Sequence, residues 1–138
     1  LGYPTKFFSK SINFNPENLK LEFYKKYAET SDKVAEYLLK AKNAGVKIKE
    51  KSLSLDELLS YITKDSLPIV LLDINVVNNK EGYQGHFVPL IGYDKENVVI
   101  HQHGLKFNYP YHFVDKDIFE KARRATGTDE DIVVVYKK

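Results

Sequence analysis

Residues 83–104 constrain the fold more than any other part of this 138-residue chain. An apolar run at 87–91 follows Gly85-His86 directly and is typical of a buried strand. A polar turn at 94–97 and a second apolar run at 98–100 come next, so we predict a hairpin of two strands. The second strand leads into His101-Gln102-His103. A histidine at the start of one strand is therefore expected to face polar residues at the end of its neighbour.

The rest of the pattern predicts one α+β domain over residues 1–138, with an antiparallel sheet and helices packed mainly on one side. Helix starts are indicated at Asn15-Pro16, at Ser31-Asp32 and at Ser54, where Glu57 completes a capping-box pattern. A last helix is expected from Asp115 to about residue 125. The other predicted segments are strands at 5–8, 46–50, 68–74 and 131–136, and a polar loop at 76–85.

Composition excludes several classes of function. The chain contains no cysteine, which rules out disulfides, thiolate metal sites and a thiol nucleophile within these residues. A net charge of +2, with lysines interleaved among acidic residues, does not indicate nucleic-acid binding. No apolar run approaches the roughly 20 residues of a membrane span, and no signal segment opens the chain. We therefore expect a cytoplasmic protein with no nucleic-acid or membrane partner.

His86 is the leading candidate for a functional residue. A lone histidine beside an apolar strand is commonly a hydrogen-bonded core residue, but Gly85 immediately before it leaves space for close approach of a backbone or ligand. The polar loop that precedes it, including Tyr83, could form the rim of a site. We take His86 as a candidate catalytic residue and Gly85 and Tyr83 as candidate substrate contacts.

The aromatic stretch at 107–113 is a second candidate surface, because rings with a polar tip suit half-wet pockets. Tyr109 and Tyr111 are its predicted substrate-binding residues, and Phe107 and His112 belong to the same stretch. The alternative is a loop that covers the core.

His101 and His103 allow a different interpretation. Two histidines at i, i+2 on a strand point the same way, as zinc ligands sometimes do, and His86 and Asp73 could be added as further ligands. A zinc site needs a third and preferably a fourth ligand, which the spacing does not require. A histidine-rich metal-binding protein is therefore a lesser alternative, and we predict no metal and no cofactor.

Several motifs together resemble the papain-like cysteine peptidase superfamily, in its double-glycine-peptidase-like branch. The resemblance is closest to the guanylyl cyclase domain-containing proteins and covers nearly the whole chain. The residues that carry it are 1–3, 67–72, 85–88, 92–94, 127–132 and 135–136.

The resemblance implies a papain-like fold in which the catalytic helix precedes Leu1, so that this chain would be the C-terminal portion of a longer one. It implies that a cysteine on that helix is the nucleophile and that His86 is the general base. The third member of the triad matches Gln102, with His103 next to it. Relatives tend to have His-Asp-Pro or Asn-Asn-Pro here, whereas this chain has His101-Gln102-His103. An amide can orient an imidazole, but it cannot stabilise an imidazolium as a carboxylate does.

Two functions fit these expectations. The first is a cysteine peptidase-type hydrolase of peptides or small amides, whose nucleophile lies outside these residues, so that the 138-residue chain alone is inactive. The second is a non-catalytic binding module on the same fold. The cyclase name of the relatives carries less weight, because nucleotide cyclisation normally needs metal-binding carboxylates and a phosphate cradle, and Asp73 and Asp94 do not form such a pattern. If a helix is missing, its groove would be apolar and exposed, and self-association is then expected.

Overall fold

The computed structural model describes residues 2–104 and 108–138. It contains a seven-stranded sheet in the order β2-β1-β7-β3-β4-β5-β6, in which only the β1–β2 pair is parallel. The strands are β1 Thr5–Ser9, β2 Lys47–Glu50, β3 Ser66–Asp73, β4 Gly85–Tyr93, β5 Asn97–Gln102, β6 Tyr109–Asp115 and β7 Ile132–Tyr136. The helices are α1 Glu22–Tyr27, α2 Ser31–Asn43, α3 Leu55–Leu59, α4 Ile74–Val77 and α5 Lys116–Arg123, with a 3-10 helix at Pro16–Lys20. The fold is α+β, as predicted.

The main core lies on one face of this sheet. Alternate residues of the strands point to the same face, so Val70 and Leu72 of β3 share it with Val88 and Leu90 of β4. Helices α3 and α5 cover this face with a small group of fully or nearly fully buried side chains. These are Leu58 and Leu59 of α3 and Phe119 and Ala122 of α5.

The opposite face is covered differently. Phe8 belongs to the main core, and its neighbour Phe7 lines a cavity together with Val34 and Leu38 of α2. Because successive strand residues point to opposite faces, α2 lies on the side of the sheet that α3 and α5 do not cover. Helices therefore group mainly, but not entirely, on one side. Further along this second face Phe87 and Phe113 are exposed.

Local capping explains where the helices begin. The Ser54 hydroxyl accepts a hydrogen bond from the main-chain N–H of Glu57, and the Glu57 carboxylate accepts one from the main-chain N–H of Ser54. These two bonds form the predicted capping box. The side chain of Asp115 accepts from the main-chain N–H groups of Asp117 and Ile118 and starts α5 at the expected place. Asn15 caps a single 3-10 turn with Pro16 at its start, and α1 begins separately at Glu22.

Two expectations about elements were wrong. Part of the predicted loop after residue 76 is helical, because Asp73 caps a four-residue helix, α4, with its side chain. The aromatic stretch is not a loop over the core, because residues 109–115 form the edge strand β6. Phe107 of that stretch, and Leu1 of the family resemblance, lie outside the described residues. Within the described ranges, none of the helices combines the length and apolar composition that crossing a membrane requires.

Candidate functional site

His86 lies at the second position of β4, where it is paired with Leu72 of the central strand β3. The side chain is half-buried, and its Nε2 atom is buried with no hydrogen-bond partner among residues 2–104 and 108–138. An unpaired buried nitrogen of this kind costs about 1–3 kcal/mol. His86 is therefore a polar group held in the fold at some cost, at the start of a strand.

The neighbour of the His86 ring is His103, just past the end of β5. Their ring centroids are 5.4 Å apart, and the His101 ring stacks on the His103 ring at 5.9 Å. His101 Nδ1 lies 3.2 Å from the carbonyl oxygen of Pro110, to which it donates. The structure thus brings His86 and His103 together, as the hairpin pattern predicted.

Gln102 contacts a different histidine. Its side chain is buried, and Oε1 accepts a hydrogen bond from His112 Nδ1 at 3.1 Å. Strand β5 pairs with β6 here, which places His112 within reach of Gln102. In the structure the amide oxygen of Gln102 is thus paired with His112. The role of Gln102 as the orienting partner of His86 stays a prediction.

The protonation of His86 follows from its surroundings. Burial lowers its pKa, the charge of His103 lowers it further, and the main chain of His103 acts in the opposite direction. Burial also lowers the pKa of His112. A lowered pKa keeps His86 neutral at pH 7, which is the form that can accept a proton.

The predicted substrate contacts lie in two groups. A Cβ atom on Gly85 would meet the hydroxyl of Tyr83 at 2.8 Å, so the space beside this glycine is occupied by Tyr83 itself. The Tyr83 hydroxyl donates to the carbonyl oxygen of Gly127 at 2.9 Å, and its ring stacks on Tyr24. On β6, Tyr111 is 75% exposed, and the Tyr109 ring lies 5.4 Å from the ring of His112. A substrate-binding role for these four residues stays a prediction.

Asp73 is a positioning residue that sequence reasoning considered only as a ligand. Its Oδ1 accepts from the main-chain N–H groups of Asn75 and Gln84, each at 3.1 Å. Ile74 N also donates to the carbonyl oxygen of Gln84 at 3.0 Å. The end of β3 is thereby fixed to a residue two positions before His86. The available signal was an aspartate at the end of an apolar strand, because an aspartate side chain there commonly accepts from the main-chain N–H two residues further on.

Potential metal ligands are not concentrated at this site. Among residues 2–104 and 108–138, no three His, Cys, Asp or Glu side chains are grouped so that they could hold a metal ion. His101 and His103 lie near each other, but their Nδ1 atoms face main-chain carbonyl oxygens.

The chain matches the model of a known protein family. The model of the family described as guanylylate cyclase matches residues 1–135. The chain therefore belongs to this family, which confirms the part of the resemblance that concerns guanylyl cyclase domain-containing proteins. No solved structure matches the chain.

Proposed function

We propose that this chain supplies the histidine of a papain-like hydrolase site that cleaves peptides or small amides, with His86 as the general base. The observation that supports the proposal best is the Nε2 atom of His86, which has no hydrogen-bond partner in the part of the chain that the structure describes. A neutral imidazole with a free nitrogen can accept a proton from a nucleophile brought against it. The lowered pKa of His86 favours this neutral form.

The nucleophile in this proposal is a thiol outside the 138 residues, because the chain has no cysteine. His103 is the orienting neighbour, since its ring and main chain are next to His86. Asp73 acts indirectly, by fixing the segment that precedes His86. A thiol paired with an imidazole has a depressed pKa and reacts with alkylating agents below neutral pH.

The test uses the natural full-length protein that contains these residues. We expect His86→Gln to lower kcat/KM for a fluorogenic peptide amide by about 100-fold or more, because the general base is lost. The same variant should slow alkylation of the catalytic thiol by iodoacetamide at pH 6.5. His101→Gln is the matched control, since His101 lies one ring further from His86, and it should change both rates by less than about threefold.

Two results would contradict the proposal. One is that no thiol of the full-length protein changes its rate of alkylation when His86 is replaced. This result would favour the non-catalytic binding module. The other is turnover by the isolated 138-residue chain, because that activity would need no external nucleophile.

The family description favours a second candidate, guanylyl cyclase activity. Incubation with GTP and Mg²⁺ or Mn²⁺, followed by mass spectrometry for cyclic GMP, tests it directly. Formation of cyclic GMP by a protein that does not cleave amides would replace the hydrolase proposal.

A further inference from the structure

A cavity of about 460 Å³ lies between β1, the 3-10 helix, α1 and α2. Its volume falls within the range of pockets that hold small molecules. Aromatic and aliphatic side chains from all of these elements form most of its wall. They include Phe7, Tyr24, Tyr27, Tyr37 and Leu38. Of the residues named for the His86 site, Tyr24 alone, through its contact with Tyr83, also lines this cavity.

The charged residues of the cavity wall all have the same sign. Glu29, Asp129 and Asp131 line it, and the described lining residues include no lysine, arginine or histidine. This separation is notable in a chain with 21 basic residues and a net charge of +2. The field inside the cavity therefore attracts cations and repels anions.

Two of these carboxylates already have partners. Asp129 accepts from Asn15 Nδ2 at 2.8 Å through one oxygen and from Asn18 Nδ2 at 2.7 Å through the other. Glu29 forms an ion pair with Lys33 at 3.2 Å near the protein surface.

Asp131 differs from these two. Its Oδ1 atom is buried and has no hydrogen-bond partner among the described residues. Burial raises its pKa to about 7, the Ser9 hydroxyl lowers it somewhat, and the charge of Asp129 raises it. Asp131 thus adds to the cavity wall a carboxylate for which the described residues show no ion pair.

We propose that this cavity binds a small protonated amine with an aromatic or aliphatic body, whose ammonium group donates to Asp131. The tyrosine rings suit such a ligand, because their faces attract cations and their edges pack against apolar groups. A carboxylate ligand is disfavoured by Asp131, Asp129 and Glu29 together. A neutral apolar ligand gains the contacts of the wall and leaves the Asp131 carboxylate without a positively charged partner.

Phenethylamine, 2-phenylethanol and 3-phenylpropionate test this proposal, since they share an aromatic body and differ in their polar end. Titration of the 138-residue protein at pH 8, followed by amide NMR shifts and calorimetry, measures their binding. We expect phenethylamine to bind with a dissociation constant on the order of 0.1–1 mM, as its size allows. The alcohol should bind about tenfold more weakly, and the acid should not bind measurably.

Variants separate the carboxylate from the wall. Asp131→Asn should reduce the affinity for phenethylamine to the affinity for 2-phenylethanol. Asp117→Asn, at an exposed position on α5, is the control and should leave the affinities for both ligands unchanged. Ala41→Trp should block both ligands by filling the cavity from α2. Circular dichroism establishes that each variant is folded.

Three results would overturn the proposal: equal affinity for the amine and the alcohol, full amine affinity in Asp131→Asn, or shift changes that lie away from this cavity. The comparison of amine with alcohol uses the unmodified protein. It therefore decides the question even if a variant does not fold. The result is also independent of His86, so the hydrolase proposal can fail without affecting it.

Discussion

His103 acts on the pKa of its neighbour His86 in two opposite ways. The charge of His103 lowers that pKa, whereas its main chain raises it, and burial exceeds both effects. The charge can be removed by mutation without changing the main chain. The pair therefore allows a direct test of the site's electrostatics.

We predict that the NMR titration midpoint of His86 lies below the usual value of about 6.5 for an exposed histidine. His103→Asn should move that midpoint upward, because the repulsive charge is gone and the main chain is retained. His112 provides an internal reference, since burial lowers its pKa and its partner is Gln102. A His86 midpoint that stays in place in His103→Asn would show that the two rings are not electrostatically coupled.

The residues beside His86 show what a single sequence can and cannot reveal. The hairpin pattern predicted that His86 would lie near the end of the next strand, and His103 is there. Gly85 also marks a close approach, as predicted, but the approaching group is Tyr83. A sequence indicates that space is needed beside a glycine. It does not indicate which side chain, near or distant in sequence, will fill that space.

At the level of elements, the turn between α5 and β7 packs closely against residues from two other segments of the chain, Leu21 and Tyr83. Gly127 has φ +102°, a conformation that side chains other than glycine rarely adopt. A Cβ atom there would lie 2.6 Å from Leu21 Cδ1 and 3.0 Å from the ring of Tyr83. This glycine is needed both for its backbone conformation and for the close packing around it.

We predict that Gly127→Ala lowers the free energy of unfolding by about 2–4 kcal/mol, from backbone strain and overpacking together. Gly45→Ala is the matched control. It also has a positive φ, +82°, but nothing lies within 4 Å of its added Cβ atom. The control should cost only about 1–2 kcal/mol, and urea unfolding measures both. Equal costs would mean that the contacts of Leu21 and Tyr83 contribute nothing.

The elements also show where pattern reasoning succeeds. Local signals determine the start of α3 at Ser54 and of α5 at Asp115, and both were predicted correctly. Strand β6 is not among the predicted strands, and its Tyr109-Pro110-Tyr111 segment contains a proline, which argues against a central strand. Proline is tolerated at a sheet edge, and β6 is an edge strand. Its identity as a strand depends on pairing with β5, which local sequence does not encode.

For the whole molecule, buried titratable groups make stability depend on pH in two opposing ways. The folded-state pKa values of His86 and His112 are lowered, so their contribution is full above about pH 6.5 and decreases as the pH falls below it. Asp131 has a folded-state pKa raised from 3.8 to about 7. Its contribution is full below the unfolded value and is lost as the pH rises toward 7.

We predict that Asp131→Asn stabilises the protein at pH 8 by on the order of 1–2 kcal/mol, because it removes a buried charge that has an unpaired oxygen. The gain should shrink as the pH falls toward 4, where the folded protein already holds Asp131 protonated. Urea unfolding of both proteins at several pH values measures the difference. A gain that does not change with pH would contradict the assigned protonation of Asp131.

Self-association of the chain through an exposed apolar surface stays a prediction. The raised pKa of Asp131 could not be predicted from sequence, because β1, β7 and the helices around the cavity must first come together to bury it.

The two tyrosine hydroxyls that converge on Gly127 have a mechanical consequence. Tyr24 and Tyr83 donate to the same carbonyl oxygen, and their hydroxyl oxygens are 3.3 Å apart. Tyr24 lines the acidic cavity, whereas Tyr83 lies three positions before His86. A rotation of the Tyr24 ring would remove one of the two donors from the Gly127 carbonyl oxygen and leave Tyr83 as the other. Helix α1 and the loop that leads into β4 are therefore joined through one shared acceptor.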